Sequence, residues 1–133
     1  MIFYLLDTHT FLWSIFDSNR LSVPVRSILS KSENNIYVSS VTFWEISLKF
    51  SLGKLELENH TPEQLPTLAK QMDFITLAIE PEEAASFYCL PKVGHKDPFD
   101  RMLIWQAISK NLVLLSKDKQ FENYRQYGLK SLW

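Results

Sequence analysis

Short apolar runs without polar alternation do most to limit what this chain can become. Residues 2–6, 36–39, 74–79 and 112–115 are such runs. A strand with one face in water alternates apolar and polar side chains. Runs that do not alternate belong to strands covered on both faces, as in parallel sheets flanked by helices. The segments between them carry helix signals. Residues 10–16 are apolar enough for a short helix, and residues 24–30 follow Ser22 with helical spacing of Val25, Ile28 and Leu29. Residues 42–49 form a third helical segment, crowded with Phe43, Trp44, Ile46 and Leu48, with Phe50 just beyond and Gly53 as its stop. So many apolar groups predict burial around much of its circumference. Thr61 before Pro62 starts a helix to about residue 72, Pro81 starts another to about residue 90, and Asp97-Pro98 starts the clearest one, to residue 110. A last strand is expected over 129–132. Strand and helix alternate throughout, so the expected fold is α/β: a three-layer arrangement with a mostly parallel central sheet and helices on both faces. No linker or repeat interrupts it, and residues 1–133 are expected to form one domain.

Charge excludes one simple account of function. Fourteen Lys and Arg against fifteen Asp and Glu leave a net charge of -1. Binding a phosphate backbone therefore needs a local basic patch, or metal ions that reverse the sign of an acidic cleft. The single cysteine, Cys89, excludes an intramolecular disulfide and argues against a cysteine-based metal centre. The first apolar run ends at Asp7, too short for a signal segment or a membrane span. A cytoplasmic protein with no membrane partner is the expectation.

The acids fall where a parallel sheet binds ligands, outside the carboxyl ends of its strands where strand order reverses. Asp7 directly follows the first strand, and Asp118 lies three residues beyond Leu115. Glu45 lies in the early turns of the helix after the second strand. Asp100 lies in the first turn of the helix that leads into the 112–115 strand. Four converging carboxylates repel one another without a counterion, and such oxygen ligands suit Mg²⁺ or Mn²⁺.

Each acid also has a plainer reading. Asp7 is placed to cap the helix that follows it. Thr42 and Glu45 have capping-box spacing, and Lys49 stands four residues after Glu45. In Asp97-Pro98-Phe99-Asp100, Asp97 fits the cap, which leaves Asp100 freer. Asp118 suits a solvated turn, and Ser116 either caps or supports a metal site. His95, Lys96 and Arg101, with Lys92, form the most cationic stretch beside these acids; they and Lys117 and Lys119 are either phosphate contacts or solvated loop charges. His9, His60 and His95 lack zinc-site spacing. Phe11, Trp13, Phe43, Trp44, Phe50 and Leu52 are more apolar surface than one core needs, and line either the core or a partner surface.

Together, Leu5-Leu6-Asp7-Thr8-His9, Trp44-Glu45-Ile46, His95-Lys96-Asp97-Pro98-Phe99-Asp100-Arg101 and Leu115-Ser116-Lys117-Asp118 resemble the PIN-domain family, and within it the VapC toxins of bacterial toxin–antitoxin pairs. The ordered set spans essentially the whole chain. The resemblance implies a PIN-like fold and a Mg²⁺- or Mn²⁺-dependent endoribonuclease. Its metal ligands and catalytic residues would be Asp7, Glu45, Asp100 and Asp118, supported by Asp97 and Ser116. It also implies a homodimer, an RNA substrate, a cognate antitoxin, and hydrolysis by metal-activated water that leaves a 5′ phosphate and a 3′ hydroxyl. Two other readings compete with it. One is a binding module for an antitoxin or RNA that does not cut. The other is a phosphatase using Asp7 as nucleophile, disfavoured because His9 stands where a second acid is needed.

Overall fold

In the computed structural model, which describes residues 2–133, five strands form one sheet in the order β3-β2-β1-β4-β5 with every neighbouring pair parallel. The strands are β1 (Phe3–Leu6), β2 (Asn35–Ser39), β3 (Ile75–Leu77), β4 (Val113–Leu115) and β5 (Lys130–Leu132). The helices are α1 (Thr8–Phe16), α2 (Val23–Ser30), α3 (Ser40–Ser51), α4 (Leu65–Gln71), α5 (Pro81–Ser86) and α6 (Pro98–Lys110). The expected α/β architecture is therefore present, and the sheet is parallel throughout. Met1, the first residue of the expected domain span, lies outside the described residues.

Both faces of the sheet are covered at its centre, over β2, β1 and β4, and these strands accordingly show no polar alternation. The edge strands β3 and β5 are largely exposed, so the apolar run at residues 74–79 does not make a strand covered on both faces. Leu6 and Leu115 point to one core, with Phe11 of α1, Val25 of α2, Ile46 of α3, and Leu65 and Ala69 of α4. Their neighbours Leu5 and Leu114 point to the other, with Leu103, Ile104 and Ala107 of α6 and with Phe121 and Tyr124. A 3-10 stretch, Lys119–Tyr127, carries these last two. Gly128 then turns the chain into β5 at φ 102°, a left-handed conformation that glycine adopts without a Cβ clash.

The chain starts at β1, steps outward to β2 and β3, and returns through α6 to place β4 on the other side of β1. Strand order thus reverses between β1 and β4, and their carboxyl ends open into a crevice. Asn111, in the left-handed conformation at the end of α6, makes the link to β4 short. The first turn of α6 accordingly lies at the same sheet edge as the ends of β1 and β4.

Two local expectations fail for identifiable reasons. Helix α3 starts at Ser40, because the Ser39 hydroxyl accepts the Val41 N–H at 3.1 Å and takes the cap position from Thr42. The proposed Thr42–Glu45 capping box therefore does not form. Helix α3 is also not buried all round: Trp44 is 62% exposed, and Leu48 and Phe50 lie on the surface too. Of the surplus apolar groups, Phe11 belongs to the core whereas Trp44, Phe50 and Leu52 face outward. Among the described residues, no helix is long and apolar enough to cross a membrane.

Candidate active site

Asp7, Asp100 and Asp118 reach the crevice from three separate segments, and Glu45 lies in a pocket beside it. The Asp7 N–H extends the β1–β4 ladder by donating to the Leu115 carbonyl at 3.2 Å. Its carboxylate then caps α1, Oδ1 accepting the Thr10 N–H at 2.8 Å. Burial pushes the Asp7 carboxyl above its usual range, against hydrogen bonds from Ser116 and Thr10 that lower it. Ser116, buried at the end of β4, serves two acids, since its Oγ also accepts the Asp118 N–H at 3.1 Å. Asp118 divides its oxygens. Oδ1 caps the following 3-10 stretch through the Gln120 N–H at 2.9 Å, and Oδ2 faces His95.

Asp97 caps α6 through the Phe99 and Asp100 N–H groups, at 2.8 and 3.2 Å. That role leaves Asp100 in the first turn with its own carboxylate turned to the crevice. Burial first, and then the charges of Asp97, Glu45 and Asp7, raise the Asp100 carboxyl to about 7, against the opposing pull of His95. Asp100 thus senses three other acids, from β1, α3 and its own cap.

Glu45 is 3% exposed and is held at both oxygens. Thr8 Oγ1 donates to Oε1 at 2.6 Å, and the Lys49 ammonium pairs with Oε2. Burial alone would lower the Lys49 ammonium, but Glu45, with Asp97 and Asp100 behind it, holds it above its ordinary value. Lys49 therefore sits inside the acidic field, beyond the surface pairing that its spacing suggested.

Asp7, Asp100 and Asp118 line one open pocket of about 460 Å³, together with His9, Trp13, Lys117 and Lys119. Glu45 borders an adjoining pocket of about 280 Å³ with Thr8, His9 and Lys49. Among the described residues, His95, Asp100 and Asp118 bring three donor atoms together, one from each lying within 4.8 Å of the others. This cluster can hold a metal ion. In the sequence its histidine reads as either a phosphate contact or a solvated loop charge, and only its nearness to Asp97 and Asp100 hints at the site.

The basic residues divide. Lys117 and Lys119 stand on the rim, and Lys117 Nζ lies 5.9 Å from the Trp13 ring centroid. Lys92, His95, Lys96 and Arg101 line a neighbouring pocket of about 450 Å³. Arg101 is largely buried, donates to the Leu90 carbonyl at 2.9 Å and lies over the Phe87 ring. Through that bond it holds the 87–90 turn against α6, while its Nε is buried without a hydrogen-bond partner. Thr8 and His9 also border the site, and in the sequence their sign is their place in the Leu5-Leu6-Asp7-Thr8-His9 motif, one and two residues after Asp7.

The chain is thus an α/β protein with a parallel sheet and carboxylates gathered at its switch point, where one cluster can hold a metal ion. The model for the PIN domain matches residues 4–126, and the chain belongs to the PIN-domain family. Among solved structures it is similar to VapBC2 from Rickettsia felis bound to a DNA fragment from their promoter, at 16% identity and TM-score 0.72, over 98% of each chain. DNA-bound VapBC from Salmonella typhimurium is 19% identical with TM-score 0.68, over 99% of this chain and 98% of the other. FitAcB from Neisseria gonorrhoeae is 18% identical with TM-score 0.59, over 100% and 97%. At these identities the likeness is one of fold. No curated protein matches the chain.

Proposed function

We propose that this chain is a divalent-metal-dependent endoribonuclease, the toxin of a toxin–antitoxin pair. One observation carries the reading: acids from β1, α6 and the end of β4 line a single pocket, and Asp100 is electrostatically coupled to Asp7, Glu45 and Asp97. Lys49 offsets only part of that charge. The donor set, mostly carboxylate oxygen, suits Mg²⁺ or Mn²⁺.

In this reading Asp7, Glu45, Asp100 and Asp118 hold the cation. Ser116 and the Thr10 N–H orient Asp7, and Thr8 and Lys49 orient Glu45. Asp97 fixes the start of α6 and hence the direction of Asp100. These residues would hold a divalent ion, which would supply an activated water at neutral pH and stabilisation of charge on phosphoryl oxygens. Lys117 and Lys119 on the rim, with Lys96 and His9 close by, meet the flanking phosphates, which position the strand without reading its sequence. Arg101 contributes by keeping that wall in place.

The same reading takes residues 1–133 as one domain acting in the cytoplasm, where RNA and a cognate antitoxin are available. The VapBC and FitAB names of its structural relatives support a protein partner. The outward apolar residues Trp44, Leu48, Phe50 and Leu52 offer surface for that partner or for a second copy of the chain.

The test is incubation of the purified, antitoxin-free protein with structured RNAs, with Mn²⁺ or Mg²⁺, with excess chelator, and beside Asp100→Asn. Cleavage that needs the ion and is lost in the variant supports the reading. Cleavage undiminished in chelator would defeat it, and binding without cleavage in every condition would favour a non-catalytic module.

A further inference from the structure

One nitrogen stands among the oxygens of this cleft. His95 Nε2 lies 3.1 Å from Asp118 Oδ2 and 3.6 Å from Asp100 Oδ2. The His95 side chain is 9% exposed and its ring packs against Phe121, with centroids 5.1 Å apart. The fold therefore holds the imidazole in place. A histidine–aspartate hydrogen bond explains one of these approaches. The other approach, to Asp100, is at 3.6 Å longer than a hydrogen bond. Two carboxylate oxygens facing one ring nitrogen is also how three ligands surround a common ion, and one donor atom of each residue lies within 4.8 Å of the others. Neighbouring donor atoms on a six-coordinate ion with bonds of about 2.1 Å stand about 3 Å apart, close to the 3.1 Å and somewhat below the 3.6 Å separation.

Building on the metal-dependent reading above, we propose that His95 Nε2 is itself a metal ligand, so that the cleft selects Mn²⁺, or another first-row transition ion, over Mg²⁺. Mg²⁺ prefers an all-oxygen shell, whereas imidazole suits transition ions. In this arrangement the neutral ring keeps its proton on Nδ1 and presents the Nε2 lone pair between Asp100 and Asp118. Phe121 then acts as a positioning residue that fixes the ring plane.

The experiment uses the full-length protein without RNA, stripped of metal and titrated with Mn²⁺. Pulsed electron paramagnetic resonance reads nitrogen coupling to the bound ion, and competition with Mg²⁺ gives the affinity ratio. His95→Gln, His9→Gln and Asp100→Asn are measured alongside. The expected result is an imidazole coupling in wild type and His9→Gln that is absent from His95→Gln, where the preference for Mn²⁺ over Mg²⁺ falls by about 10-fold or more. Coupling that survives in His95→Gln, or disappears in His9→Gln, overturns the assignment. Mn²⁺ bound without nitrogen coupling, yet weakened in Asp100→Asn, overturns it while leaving the metal-dependent nuclease reading standing. Failure of wild type to bind Mn²⁺ sinks both. Should His95→Gln not fold, the wild-type and His9→Gln spectra still decide the question.

Discussion

Thr8 Oγ1 donates to Glu45 Oε1 at 2.6 Å, tying the first residue of α1 to the second turn of α3 across 37 positions of sequence. Thr42 Oγ1 stands 3.2 Å from the same hydroxyl, and all three side chains are buried. Thr8→Val keeps the shape and deletes the donor, leaving a buried carboxylate oxygen without this partner. Such a loss costs about 1–3 kcal/mol. Urea denaturation of the metal-free variant should show a lower midpoint, and an unchanged midpoint would mean that Thr8 does not hold Glu45.

Stability without metal should depend on pH through Asp100. Its carboxyl ordinarily titrates at 3.8 and is raised to about 7 in the fold. Between those values the folded state keeps a proton that the unfolded chain has released, so stability falls as pH rises from about 4 to about 7. Asp7 is shifted the same way and adds to the trend. Asp100→Asn removes the Asp100 share. The variant should melt above wild type at pH of about 8, and the gap should close on acidification to about 5. Thermal melts with chelator present check this, and a gap independent of pH contradicts it. Saturating Mn²⁺ should reverse the order, because metal binding requires the ionised carboxylate.

Ser116 hydrogen-bonds Asp7 and accepts from the Asp118 N–H, so it orients two of the proposed ligands at once. Removing a partner of this kind costs about 10- to 100-fold in metal affinity. Ser116→Ala is expected to weaken Mn²⁺ binding in calorimetry by that amount with little change in melting temperature. Wild-type affinity would remove Ser116 from the site.

Arg101 donates to the Leu90 carbonyl inside the protein and so belongs to the fold before it belongs to the substrate. Arg101→Met should cost about 1–3 kcal/mol for the orphaned carbonyl. The slope of RNA affinity against salt should stay close to wild type, whereas Lys117→Ala or Lys119→Ala should reduce it by about 1. A slope lowered by Arg101→Met at unchanged stability would return Arg101 to the phosphate contacts.

The central strands, and the positions of Asp7, Asp100 and Asp118 at one edge of the sheet, are legible because they follow from local pattern and strand order. Leu5-Leu6 and Leu114-Leu115 read as buried on both faces and are so. Asp97 before Pro98 reads as a cap and forms one. What escaped the sequence was decided by competition or by distant contacts. Ser39 displaced Thr42 as the α3 cap because its hydroxyl meets the Val41 N–H where the strand ends. The direction of the His95 ring depends on Phe121, from a segment beyond β4, and the fate of Arg101 depends on a carbonyl eleven residues earlier. The exposed stripe of α3 is as apolar as its buried one, so periodicity had no contrast with which to separate them.

The chemistry of the fragment ends tests the central claim most directly. RNA cut by the purified protein with Mn²⁺ is mapped at single-nucleotide resolution and its termini are assigned enzymatically. Water attacking phosphorus at a carboxylate-held ion leaves a 5′ phosphate and a 3′ hydroxyl, with both products missing when Asp7 or Asp100 is changed to Asn. A 2′,3′-cyclic phosphate with a 5′ hydroxyl, or the same fragments from the Asn variants, would contradict the account.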